Sequence, residues 1–168
     1  ELGRLCNREL SFEEVKKAWL GFFVEVPPAI LKYLEELKKE YRILILSNTN
    51  PYVMSWACST EFSSEGKPLT HYADRLYLSY QIGYTKPAPE IFRHLIDDSG
   101  ICPEEALFVD DGASNVKKGE EFGFHTFCPA NGSDWRSSRA HARPDMTSIS
   151  IAAHHREESG FPPLYRQE

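Results

Sequence analysis

The sequence predicts an α/β fold: a doubly wound parallel sheet with helices on both faces. Three observations lead there. Short continuous apolar runs, such as "RILIL" at 42–46 and "ALFVD" at 106–110, have the length of strands buried on both sides. Stretches with apolar residues at helical spacing alternate with them, opened by Ser, Asn or Pro and often closed by Gly. Several apolar runs also end abruptly in polar residues, as strands do at the ligand-binding rim of such a sheet.

Taken in order, "LSFEEV" reads as a helix start, with Ser11 as cap, Glu14 completing a capping box, and Leu10 and Val15 placed as a hydrophobic staple. This helix is expected to run to about Leu20 and stop near Gly21. A second helix opens at Pro27-Pro28 with Ile30, Leu34, Leu37 and Tyr41 on one face, and leads straight into the 42–46 strand. Asn50 as cap and Pro51 at the first helical position open a third. Residues 59–73 read as a polar insertion. "DRLYLS" (74–79) is a strand, "PAPEIFRHLIDDSG" a helix ending at Gly100, and 106–110 the next strand. "SNVKKGEEFG" is a helix closed by Gly123, and "FHTF" (124–127) a last strand.

The composition narrows the functional classes. At 168 residues the chain is long enough for one domain with a proper core. A formal net charge of −6 argues against a nucleic-acid partner, because a phosphate backbone demands a basic face. No apolar run approaches the roughly 20 residues that span a bilayer, so no membrane partner is expected. Cys6, Cys58, Cys102 and Cys128 are widely separated and fit neither a disulfide framework nor a zinc site, which makes a reducing cytoplasm the expected location. The oligomeric state is not legible.

The polar residues at the strand ends carry the chemistry. The 42–46 strand ends in Ser47-Asn48-Thr49, the loop after "LYLSYQIGY" carries Lys86, and "LFV" ends in Asp110-Asp111. Gathered on one rim, they offer a hydroxyl and an amide to an oxyanion, one ammonium, and a carboxylate pair. Two adjacent carboxylates at a strand end repel unless something positive lies between them. Hard oxygen donors favour Mg²⁺, which shares its site with waters and a substrate phosphate. A magnesium ion, with Lys86 close by, is therefore the expected positive group. Plainer readings stand beside this one: Ser47 and Asn48 as caps of the following turn, Lys86 as a solvated loop lysine, and one of the acids as a helix cap. Asn115 is expected to stabilise its own loop or helix start beside the acids.

The joint pattern resembles the haloacid dehalogenase-like (HAD) hydrolase superfamily over about residues 1 to 136. "ILILSN" is similar to its second motif, "KPAPEIF" to its third-motif lysine, and "FVDDGASN" to its acidic fourth motif. The resemblance implies a Rossmann-like core at 27–136 and, at 1–26, the closing part of a small helical cap. It further implies a Mg²⁺-dependent phosphatase that acts on a small phosphorylated metabolite through an aspartyl-phosphate. Ser47, Asn48 and Lys86 would hold the phosphoryl group, Lys86 and Asp111 would serve catalysis, and Asp110 and Asp111 would hold the metal. The double acid favours phosphatases over the metal-free dehalogenases of the same fold.

One part of that pattern is missing. The superfamily's nucleophile lies in a D-x-D motif at the end of its first, central strand, and no D-x-D occurs anywhere in this chain. The chain therefore reads as a fragment without its nucleophile, expected to be inactive alone. An absent central strand would leave its two neighbours roughly 9.6 Å apart, twice the usual ~4.8 Å, with unpaired edges to be satisfied by some other segment. The alternative function is a non-catalytic phosphate- and Mg²⁺-binding or interaction domain. A receiver domain would carry its acid pair early and its lysine late, the reverse of the order here. A dinucleotide-binding dehydrogenase would need a G-x-G-x-x-G, which no strand precedes. Beyond Arg136 the composition turns rich in Ser, Arg, His and Pro, and 137–168 is expected to be an irregular or disordered tail. Its His141, His154 and His155 lack the spacing of a metal site.

Overall fold

The computed structural model describes residue 4, residues 7–21 and 26–130, and the backbone of 150–155. Its elements, in chain order, are α1 (Phe12–Leu20), α2 (Pro28–Glu40), β1 (Tyr41–Ser47), α3 (Pro51–Ala57), α4 (Leu69–Tyr72), β2 (Arg75–Leu78), α5 (Ser79–Ile82), α6 (Pro89–Ser99), a 3-10 turn (Pro103–Glu105), β3 (Ala106–Val109), α7 (Ala113–Glu121), β4 (His125–Phe127) and β5 (Ser150–His155). Local chemistry sets most of the boundaries. The capping box at α1 is closed in both directions: Glu14 N–H donates to Ser11 Oγ at 3.2 Å and Ser11 N–H to Glu14 Oε2 at 2.9 Å. Asn50 Oδ1 accepts from the N–H groups of Tyr52 and Val53 to open α3. Gly100 closes α6 at φ +66°, a left-handed cap that a side chain would strain.

The strands form one sheet in the order β2-β1-β5-β3-β4. β1 pairs with β2, and β3 with β4, in parallel. Alternate residues of β1 feed two cores. Ile43 and Ile45 pack with Leu31, Leu34 and Met54 on one face, while Leu44 and Leu46 join Phe92, Leu95 and Phe108 on the other. Helices thus cover both faces, as a parallel sheet requires.

Two expectations are corrected. β5, within the segment expected to be an irregular tail, lies between β1 and β3 and pairs antiparallel with both. Leu46 stands opposite Ser150, and Val109 opposite Ile151. The physical reason is the one the missing strand raises: two facing edges with unpaired backbone groups are satisfied by whichever segment reaches them, and an antiparallel ladder serves as well as a parallel one. The remainder of 137–168, including His141, lies outside the described residues. The second correction concerns 59–73, which is no polar excursion. Its three large apolar residues, Phe62, Leu69 and Tyr72, are buried in the core that α2 covers. Among the described residues, no helix is long and apolar enough to cross a membrane.

Candidate functional site

Because β1, β2 and β3 run parallel, Ser47, Ser79 and Asp110 mark the carboxyl ends of three strands on one rim. Lys86 reaches this rim from the loop between α5 and α6, with a cis peptide bond to Pro87. Its side chain is 3% exposed, as is that of Asp110. The ammonium donates to Asp110 Oδ2 at 2.9 Å and to the Leu46 carbonyl at 2.6 Å. Burial pulls the Lys86 pKa below its ordinary value, and the charges of Asp110 and Asp111 oppose that pull.

Asp110 is held from its other side as well. Its Oδ1 accepts from Gly112 N–H at 2.8 Å and from Asn115 Nδ2 at 3.0 Å. A Cβ at Gly112 would lie 2.8 Å from Asn115 Nδ2 and 3.0 Å from Asp110 Oδ1, so glycine is what lets the loop fold back onto the acid. Asn115, in the first turn of α7, does stabilise its loop, and does so through Asp110.

These contacts divide the roles that the sequence reading had merged. The positive group facing Asp110 is the Lys86 ammonium, and both oxygens of Asp110 are engaged by neighbours of the same chain. Asp111 differs: it is half-buried, and among the described residues its carboxylate accepts no hydrogen bond. The side chain of Asn48 binds the Lys86 backbone. Its Oδ1 accepts from Lys86 N–H at 2.7 Å and its Nδ2 donates to the Lys86 carbonyl at 3.0 Å, locking the lysine loop to the end of β1. Ser47 is buried, and among the described residues its hydroxyl has no hydrogen-bond partner. Sequence reasoning missed Ser79, whose hydroxyl binds the Thr49 backbone. The available signal was a serine directly after an apolar run, as Ser47 follows the apolar run 43–46.

For a divalent cation the described residues supply an incomplete set. No three His, Cys, Asp or Glu side chains among them converge on one point. Asp111 offers a hard oxygen donor of the kind Mg²⁺ accepts, with waters or a phosphate to fill the remaining positions. The fit is that of one protein ligand in a site shared with other groups. Asp97 and Asp98, the other adjacent acids, lie within α6, away from this rim. Asp98 accepts from Arg75 at 2.8 Å and from Tyr77 Oη at 2.7 Å, beside the opening residues of β2.

Comparison with known proteins shows the family. The sequence profile of the haloacid dehalogenase-like hydrolase family matches residues 14–123, more than half of the chain. A D-ribitol-5-phosphate phosphatase from Bacteroides thetaiotaomicron is 64% identical over 136 residues, covering 81% of this chain and 66% of that protein. The chain thus spans just under two thirds of that relative's length. A solved HAD-like family hydrolase from Porphyromonas gingivalis is 44% identical, with a TM-score of 0.78 over 82% of this chain and 67% of its own. A HAD family enzyme from Bacteroides thetaiotaomicron, an aspartate-to-alanine mutant in complex with magnesium and inorganic phosphate, is 34% identical with a TM-score of 0.76, over 83% of this chain and 71% of its own. The chain belongs to the haloacid dehalogenase-like hydrolase family.

Proposed function

We propose that this rim is the phosphate- and magnesium-holding part of a phosphohydrolase acting on a small phosphorylated polyol. The observation that carries the reading is the buried Lys86 ammonium, anchored between Leu46 and Asp110 on the rim that also presents the Asp111 carboxylate and the Ser47 hydroxyl, which has no partner among the described residues. In this reading Ser47 donates to a phosphoryl oxygen and Lys86 supplies fixed positive charge beside it. Asp110 holds Lys86 in place, and Asn48 holds its loop. Asp111 would hold Mg²⁺, which would supply positive charge beside the phosphoryl group. Donors fixed before the substrate arrives need no reorganisation at the moment of reaction, which is why so much hydrogen bonding serves a single ammonium. The polyol class is supported by the name of the 64% identical relative. The reading keeps the chain in a reducing cytoplasm, where the free thiols Cys58, Cys102 and Cys128 stay reduced.

We further propose that the chain by itself binds phosphate without hydrolysing its esters. No D-x-D occurs in the 168 residues, and the strand that lies between Ser47 and Asp110 opens at this rim with Ser150, not with an acid. A hydroxyl, an ammonium and one metal-binding acid hold a phosphoryl group but give it no carboxylate nucleophile. The test is the rate at which the pure chain hydrolyses an aryl phosphate with Mg²⁺ present. Release no faster than the buffer blank is expected. Mg²⁺-dependent turnover that Lys86→Ala abolishes would defeat the non-catalytic part of the reading and leave the phosphohydrolase part standing.

A further inference from the structure

Ser79, the first residue after β2, is buried, and its hydroxyl grips the Thr49 backbone at both ends. It accepts from Thr49 N–H at 3.0 Å and donates to the Thr49 carbonyl at 3.2 Å. One residue earlier, the Asn48 carboxamide grips the Lys86 backbone in the same two-ended way. The two clamps are consecutive. Thr49 N–H belongs to the peptide plane that joins it to Asn48, so fixing that plane fixes the direction in which the Asn48 side chain leaves the loop. Asn48 in turn fixes the Lys86 backbone from which the buried ammonium reaches Asp110.

We propose that Ser79 is a positioning residue for the phosphate-holding rim, acting through Thr49 and Asn48 on both Ser47 and Lys86; this rests on the phosphate-binding reading above. Thr49 is only partly buried, so water can replace the lost hydroxyl when Ser79 is truncated. Truncation therefore leaves the fold nearly as stable while loosening the donors, and a loosened donor set binds an oxyanion less well.

The experiment is isothermal titration of the full 168-residue chain with inorganic phosphate in the presence of Mg²⁺, with thermal unfolding of each variant alongside. Ser79→Ala is expected to weaken phosphate binding about tenfold, the scale of one or two net hydrogen bonds, with little change in Tm. Ser79→Thr, which keeps the hydroxyl, is expected to restore the affinity. Wild-type phosphate affinity in Ser79→Ala would overturn the proposal. So would an affinity loss that tracks a large fall in Tm and that Ser79→Thr fails to recover. If the wild-type chain takes up no phosphate, the phosphate-holding reading itself falls and this inference with it; an unaffected Ser79→Ala variant of a phosphate-binding chain defeats Ser79 alone.

Discussion

Replacing Lys86 with methionine keeps most of the buried volume and removes the charge that faces Asp110. Both side chains are 3% exposed, so the carboxylate left behind cannot turn to water. Removing one partner of such a pair typically costs about 3–5 kcal/mol. The lower end, about 3 kcal/mol, applies here, because Asp110 keeps its bonds from Gly112 N–H and Asn115 Nδ2. Against a typical domain stability of about 5–15 kcal/mol this is a large fraction. Adding Asp110→Asn removes the uncompensated charge and is expected to bring the double variant back to within about 1–2 kcal/mol of wild type. Urea unfolding of the wild type, the single variant and the double variant at pH 7 reads both quantities. A Lys86→Met deficit under about 1 kcal/mol, or a double variant no better than the single one, would refute a buried, charge-compensated pair.

Three further outcomes follow from named contacts. Gly119→Ala should gain up to about 1 kcal/mol of helix propensity yet destabilise the protein by about 1 kcal/mol net in chemical denaturation, because its Cβ would lie 2.8 Å from Cδ1 of the fully buried Phe108. The Glu14 carboxyl, held at about 2 by the Ser11 backbone N–H first and by Arg8 and the Ser11 hydroxyl next, should titrate there by NMR. Its support of α1 is then complete above about pH 4.5 and lost as pH falls through 2, and Ser11→Ala should move the midpoint back toward 4.5. Ile151→Pro should lower the unfolding midpoint far more than a surface proline would, since this residue is paired with Ile45 on one side and Val109 on the other. An unchanged midpoint would remove β5 from the centre of the sheet.

The parts of the fold legible in the sequence are those written in local chemistry. The Ser11 box, Asn50-Pro51 and Gly100 each mark a boundary because the signal and the structure lie within a few residues of one another. The β1 strand was legible because four consecutive apolar residues, Ile43 to Leu46, suit burial on two faces. β5 was not. Its "SIAAHH" is short and holds two alanines and two histidines, residues with little strand preference, and what recruits it is the gap between β1 and β3, far away in sequence. Likewise Phe62, Leu69 and Tyr72 are spread among polar residues without a period, and only the folded chain brings them to one core. At the site, residue types and order disclosed which side chains meet but not how they share the work. Two adjacent aspartates look alike as text; in the fold one faces the buried Lys86, and the carboxylate of the other accepts no hydrogen bond among the described residues. Asn48 was ambiguous for the same reason, since an amide that binds an oxyanion and one that clamps a neighbouring loop are the same letter.

The most direct test of the central claim is a crystal structure of this chain grown with Mg²⁺ and inorganic phosphate. The account predicts phosphate against Ser47 Oγ and Lys86 Nζ, a metal ion on Asp111, and Asp110 still paired with Lys86. Phosphate or metal bound elsewhere, or a rim that takes up neither, would contradict it.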